Sequence, residues 1–231
     1  MKEKAYLKSA IRHLGVGVPA TRAIVKRAWK THRLADDPKA VVAAVEELWA
    51  EPIYERRLAA VELLVLARAA LTVRQLPLVE RLVREAKTWA LVDPLATEVA
   101  GAIADEKTLD RWARDPDFWI RRAALLAHLR GLREGGGDFA RFARYADMML
   151  DEKEFFIRKA IGWILRETGK KRPELVREYI EPRRERASGL TVREATRNLP
   201  ARGDRSAAKV ERARVRGEAP SKNGRRRRRG S

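Results

Sequence analysis

The chain has 231 residues, 45% of them hydrophobic, enough to bury one sizeable core and too few for several independent domains. It contains no cysteine, which excludes disulfides, thiolate nucleophiles and cysteine-based zinc sites. Lys and Arg number 51 against 32 Asp and Glu, a net charge of +19, and such a surplus favours polyanions, of which nucleic acid is the commonest in a cytoplasm.

The N-terminal MKEKAYLKSAIRHLG lacks the apolar core of a signal peptide, and the most apolar stretch, residues 61–73, is broken by Glu62 and Arg68. The expectation is a cytoplasmic protein without a membrane span, associated with the nucleoid when bound to DNA. From residue 2 to about 200 the pattern is helical nearly everywhere, rich in Leu, Ala, Arg and Glu. Punctuation falls at residues 15–19, Asp36-Asp37-Pro38, Glu51-Pro52, Asp93-Pro94, Asp115-Pro116, residues 135–137, residues 169–173 and Ser188-Gly189. Asp before Pro is expected to cap a helix whose first residue is the proline, and the helices between stops should run about 10 to 18 residues.

Residues 118–123, FWIRRA, recur as FFIRKA at residues 155–160, a spacing of 37, and a fainter echo begins at Arg57. A period near 40 in an all-α chain predicts a HEAT-like helical repeat solenoid, whose concave face would bind DNA. That domain is expected to span residues 1–200. Residues 201–231 have almost no large apolar side chains and include five consecutive arginines, which predicts a disordered basic tail. Residues 183–231 carry 17 basic and 5 acidic side chains, a net +12, so the tail should add sequence-independent affinity for phosphate.

The segment EFFIRKAIGWILRE, residues 154–167, holds the most chemical information. On a helical wheel Phe156, Ile157, Ala160, Ile161, Ile164 and Leu165 form the buried stripe, and Trp163 lies at its margin beside Lys159, Arg166 and Lys170. An aromatic flanked by cations can meet a sugar or base while the cations hold phosphates; it can equally pack between repeats. Arg122 projects from an apolar side and must find an anion, either a phosphate or a carboxylate of the adjoining repeat. Asp93 reads as a helix cap before Pro94, which would separate it from the helix bearing Trp89. Trp29, Trp49 and Trp112 have ordinary core spacing. His13, His32 and His128 are widely separated, so no metal or cofactor is expected.

EFFIRKAIGWILRE, with FWIRRAA at 118–124, KTWALVD at 87–93, ELW at 47–49 and REA at 193–195, resembles the AlkD-type DNA alkylation repair glycosylases over residues 4–199. These are HEAT-like repeat proteins that excise cationic N3- and N7-alkylated purines from double-stranded DNA. The resemblance implies that Trp89 and Trp163 contact the lesion-bearing sugar, that Asp93 is the catalytic carboxylate, and that Arg122 holds the DNA backbone. It also implies base release without flipping; Thr88 stands where the family commonly has another aromatic, and the protein is expected to be a monomer. Two other readings remain open at this point: a catalytically silent DNA-binding repeat protein, and a scaffold for an acidic protein partner.

Overall fold

A computed structural model describes residues 11–200. The basic tail and the first residues of the resemblance lie outside the described residues. Among those described there is no strand, only an isolated bridge between Arg12 and Ile53, and no helix is long and apolar enough to cross a membrane.

The helices are α1 Val18–Thr31, α2 Pro38–Ala50, α3 Tyr54–Ala67, α4 Leu76–Ala86 and α5 Trp89–Pro94, which runs through a π-helical segment, Leu95–Ala100, into α6 Gly101–Ile103. They continue with α7 Glu106–Trp112, α8 Phe118–Leu126, α9 Leu129–Arg133, α10 Phe139–Met149, α11 Phe155–Gly169, α12 Pro173–Ile180 and α13 Gly189–Thr196. Several are shorter than expected, α7 having 7 residues and α12 and α13 having 8 each. The reason is packing: in a repeat array each helix is stabilised by its neighbours, so two turns suffice where an isolated helix would melt.

The expected stack of helix pairs is present. In pairs α2/α3, α4/α5–α6, α7/α8, α10/α11 and α12/α13, the second helix of each packs against the second helix of the next. The first helices are joined by ion pairs from one repeat to the next, Glu46 to Arg81, Glu80 to Arg111 and Asp110 to Arg144, and Asp147 reaches Arg183 in the turn just after α12. The repeated motif falls at equivalent places, Phe118 and Phe155 each opening a helix. Its first arginine has the same job in both copies, Arg121 donating to the carbonyls of Asp115 and Pro116 and Arg158 to that of Glu152, which ties each helix to the loop before it; Arg56, just before the fainter echo, donates instead to the Glu47 carbonyl within α2.

The core runs along the stack and includes Trp49 and Trp112, each buried with its indole N–H satisfied by a carboxylate, Glu85 and Glu80 respectively. Trp29 is partly buried against it. The Asp-Pro signal holds once and fails twice. Asp37 caps α2 and accepts from the amides of Lys39 and Ala40. Before α8, however, the cap is Asp117, while Asp115 is bound by Arg84 and by the Asp117 amide. Asp93-Pro94 lies inside a helix.

Candidate functional site

Pro94 lacks an amide hydrogen and its ring crowds the preceding turn, so an ordinary α-helix would break there. The chain passes Pro94 without stopping, and the π-helical segment that follows absorbs the misfit with wider turns. Thr88, buried, takes the cap position instead, its carbonyl accepting from Leu91 and Val92. The expectation that Pro94 separates Trp89 from Asp93 is therefore corrected. The two share α5 four residues apart, on one face, and the Asp93 carboxylate is free of capping duty.

That carboxylate meets Arg122 on α8. Nε donates to Oδ1 and Nη2 to Oδ2, both at 2.8 Å, a planar two-bond fork. Nη1 donates to the Phe156 carbonyl in the first turn of α11, and the guanidinium lies 5.8 Å from the Phe156 ring centroid. Arg122 is only 3% exposed. The anion it requires is thus a carboxylate of the preceding repeat, and one guanidinium ties α5, α8 and α11 together. Burial raises the pKa of Asp93 above its ordinary value, against the charge and hydrogen bonds of Arg122.

Phe156 belongs to an aromatic group beside this pair. Its ring stacks parallel to Phe118 at 6.3 Å, tilts against Trp119 at 4.8 Å and meets the edge of exposed Phe155 at 5.3 Å. Trp163 lies seven residues further along α11 on the same side, roughly 10 Å away by helix rise, half-buried against the core. Trp89 is likewise half-buried and packed on the core. Of the expected stripe, Ile157, Ala160, Ile161, Ile164 and Leu165 are buried and Phe156 is partly so.

Each cation expected to hold phosphate has a carboxylate partner. Lys159 Nζ lies 2.7 Å from Glu194 Oε1, and Arg166 Nη1 pairs with Glu194 Oε2. Lys170 Nζ lies 2.7 Å from Glu167 Oε2, which also meets Arg133 at 3.2 Å. The cations hold Glu194 and Glu167 below the usual carboxylate range; for Glu194 the hydrogen bond from Lys159 contributes most, and for Glu167 burial pushes upward but is outweighed by Lys170 together with the charges of Arg133 and Arg166. Sequence reasoning missed Glu194, Glu167 and the Phe156 carbonyl as partners. Glu194 was marked only by its place in REA and Glu167 by its place at the end of EFFIRKAIGWILRE, while the Phe156 backbone carbonyl carries no side-chain signal at all.

A stack of helix pairs with a largely buried carboxylate–guanidinium pair between second helices defines a helical-repeat protein with a built polar centre. The chain belongs to the DNA alkylation repair enzyme family, whose sequence profile matches residues 2–199. A search among curated proteins found no match. Among solved structures, the chain is similar to a "Predicted DNA alkylation repair enzyme" from Enterococcus faecalis, with 24% identity, a TM-score of 0.76, and coverage of 87% of this chain and 94% of that one. At that identity the likeness establishes the fold.

Proposed function

We propose that the chain is a monofunctional DNA glycosylase that hydrolyses the N-glycosidic bond of N3- or N7-alkylated purines in duplex DNA, leaving an abasic site. The observation that carries this reading is the Asp93 carboxylate, 13% exposed, which shares a helix face with Trp89 and is fixed in orientation by the buried Arg122. Family membership supports DNA as the substrate.

The chemistry asks little of the protein. An N3- or N7-alkylated purine already carries positive charge and leaves without a general acid; what remains is to stabilise an oxocarbenium-like sugar and to place water. A carboxylate has about four lone-pair directions. Arg122 takes one on each oxygen, and the others serve a water or the developing cation. The tryptophan faces of Trp89 and Trp163 add cation–π stabilisation as charge grows on the sugar. In this reading the base is released without being flipped, and the enzyme acts as a monomer.

Arg122 acts here by holding Asp93. Contact with the DNA backbone would require its guanidinium to exchange Asp93 for a phosphate. Lys159, Arg166 and Lys170 contribute phosphate contacts along α11. A catalytically silent DNA-binding protein is the second reading, favoured by the engagement of both Asp93 oxygens with Arg122. Incubation with duplex containing N7-methylguanine or N3-methyladenine separates the two: free base supports the glycosylase, and binding without release supports the silent form.

A further inference from the structure

We infer that Lys159 and Arg166 form one binding site for a single backbone phosphate of DNA, and that Glu194 fills that site as a phosphate surrogate in the DNA-free protein. The inference rests on DNA being the partner. It does not depend on catalysis.

Lys159 and Arg166 stand two turns apart on α11, and both converge on one carboxylate delivered by α13. Trp163 lies between them on the same face, so an anion held there sits beside its indole. The arrangement is built into the contact between α11 and α13, the most extensive helix contact among the described residues. A Cβ at Gly162 would lie 2.6 Å from the Glu194 Cβ and 3.1 Å from the Thr191 carbonyl oxygen, so only glycine lets α13 come this close. Ser188 caps α13, and the Thr191 hydroxyl donates to the Arg158 carbonyl, fixing the register that brings Glu194 between the two cations.

Charge and exposure favour exchange. Two cations share one carboxylate, and Arg197 adds a third positive charge acting on Glu194. The Lys159 side chain is 40% exposed while that of Glu194 is 11% exposed, so an incoming anion reaches Lys159 from solvent. A phosphodiester presents two anionic oxygens much as a carboxylate does, and Arg and Lys bind both. DNA can therefore take over the cations, and Glu194 sets how strongly it must bind to do so. The carboxylate makes the site selective against weakly held duplex.

The test is equilibrium binding of an undamaged duplex, without any catalytic readout. Glu194→Gln should tighten binding on the order of tenfold, the worth of a hydrogen bond to a charged group. The exposed Glu174→Gln sets the generic effect of removing one negative charge. The gain at Glu194 should exceed it and vanish when Lys159→Gln is added. A gain no larger than the control, or a loss of affinity in a chain that remains folded, overturns the proposal. Should Glu194→Gln fail to fold, Lys159→Gln alone decides: it should weaken binding and reduce the salt slope by about one. An unchanged slope overturns the proposal, and a wild-type chain that binds no duplex contradicts the DNA reading itself.

Discussion

Arg122 grips Asp93 through two parallel hydrogen bonds of 2.8 Å, joining helices whose contacting residues are 29 apart in sequence. A third bond to the Phe156 carbonyl leaves the guanidinium no freedom to rotate. Orientation and charge of the carboxylate are thus set by a residue of the next repeat.

Replacing Arg122 therefore does two things. Arg122→Ala leaves a largely buried carboxylate without a counter-ion and should cost about 3 kcal/mol of stability. Arg122→Lys keeps the charge but not the fork, so base release should fall while much of the stability remains. Thermal melts and single-turnover release on both variants check this. Lysine working as well as arginine would mean that the fork is not needed.

Part of this was legible in the sequence. The 37-residue repeat placed α8 and α11 in register, and the stripe on α11 emerged as written because a 3.6-residue period needs no tertiary information. The break at Pro94 was misread because the local rule for proline is strong. Burial of Leu91, Val92, Leu95 and Ala96 on both sides of Pro94 outweighs it, and the π-helical turns relieve the clash. Ion-pair partners were illegible for a different reason. Asp93 and Glu194 reach Arg122, Lys159 and Arg166 across separations of 28 to 35 residues, and only the stacking of the helices decides which carboxylate meets which cation.

Gly162 offers a test of packing alone. Gly162→Ala would gain helix propensity, yet its methyl group collides with Glu194 and the Thr191 backbone. The expected outcome is a net loss of about 1–3 kcal/mol from overpacking, seen as a lower melting temperature. A melting temperature equal to or above wild type would show that α13 can shift without penalty.

Trp163 should separate chemistry from stability. Trp163→Leu keeps apolar contact with the core but removes the π face, so release should slow roughly tenfold while the melting temperature changes little. A large drop in melting temperature with unchanged release would assign Trp163 to packing.

Stability should fall on the acid side in two stages. Burial lowers the pKa of His128 from 6.5 to about 4; its Nε2 has no hydrogen-bond partner, the charge of Asp138 opposes the shift only in part, and the charges of Arg141 and Arg144 add to it. Between those values the unfolded chain binds a proton that the folded chain refuses, so stability is complete above pH 6.5 and declines as pH falls towards 4. Glu80 is held down to about 2 from 4.5, chiefly by the hydrogen bond from Arg111. Its contribution is present above pH 4.5 and is lost as pH falls through 2. Denaturant titrations at a series of pH values should show His128→Gln abolishing the first decline and sparing the second. A first decline that survives the substitution would place it on another group.

The most direct measurement is release of free base from duplex containing N7-methylguanine or N3-methyladenine, by the wild-type chain and by Asp93→Asn. From sequence alone Asn is expected to preserve stability, since it caps a helix about as well as Asp. The structure changes that expectation, because the substitution strands the buried Arg122 charge, so the comparison is made at a temperature where circular dichroism shows both chains folded. The account predicts free base and an abasic strand from the wild type, and release slower by about a hundredfold or more from the variant. No release by the folded wild type, or release by Asp93→Asn at the wild-type rate, would contradict it.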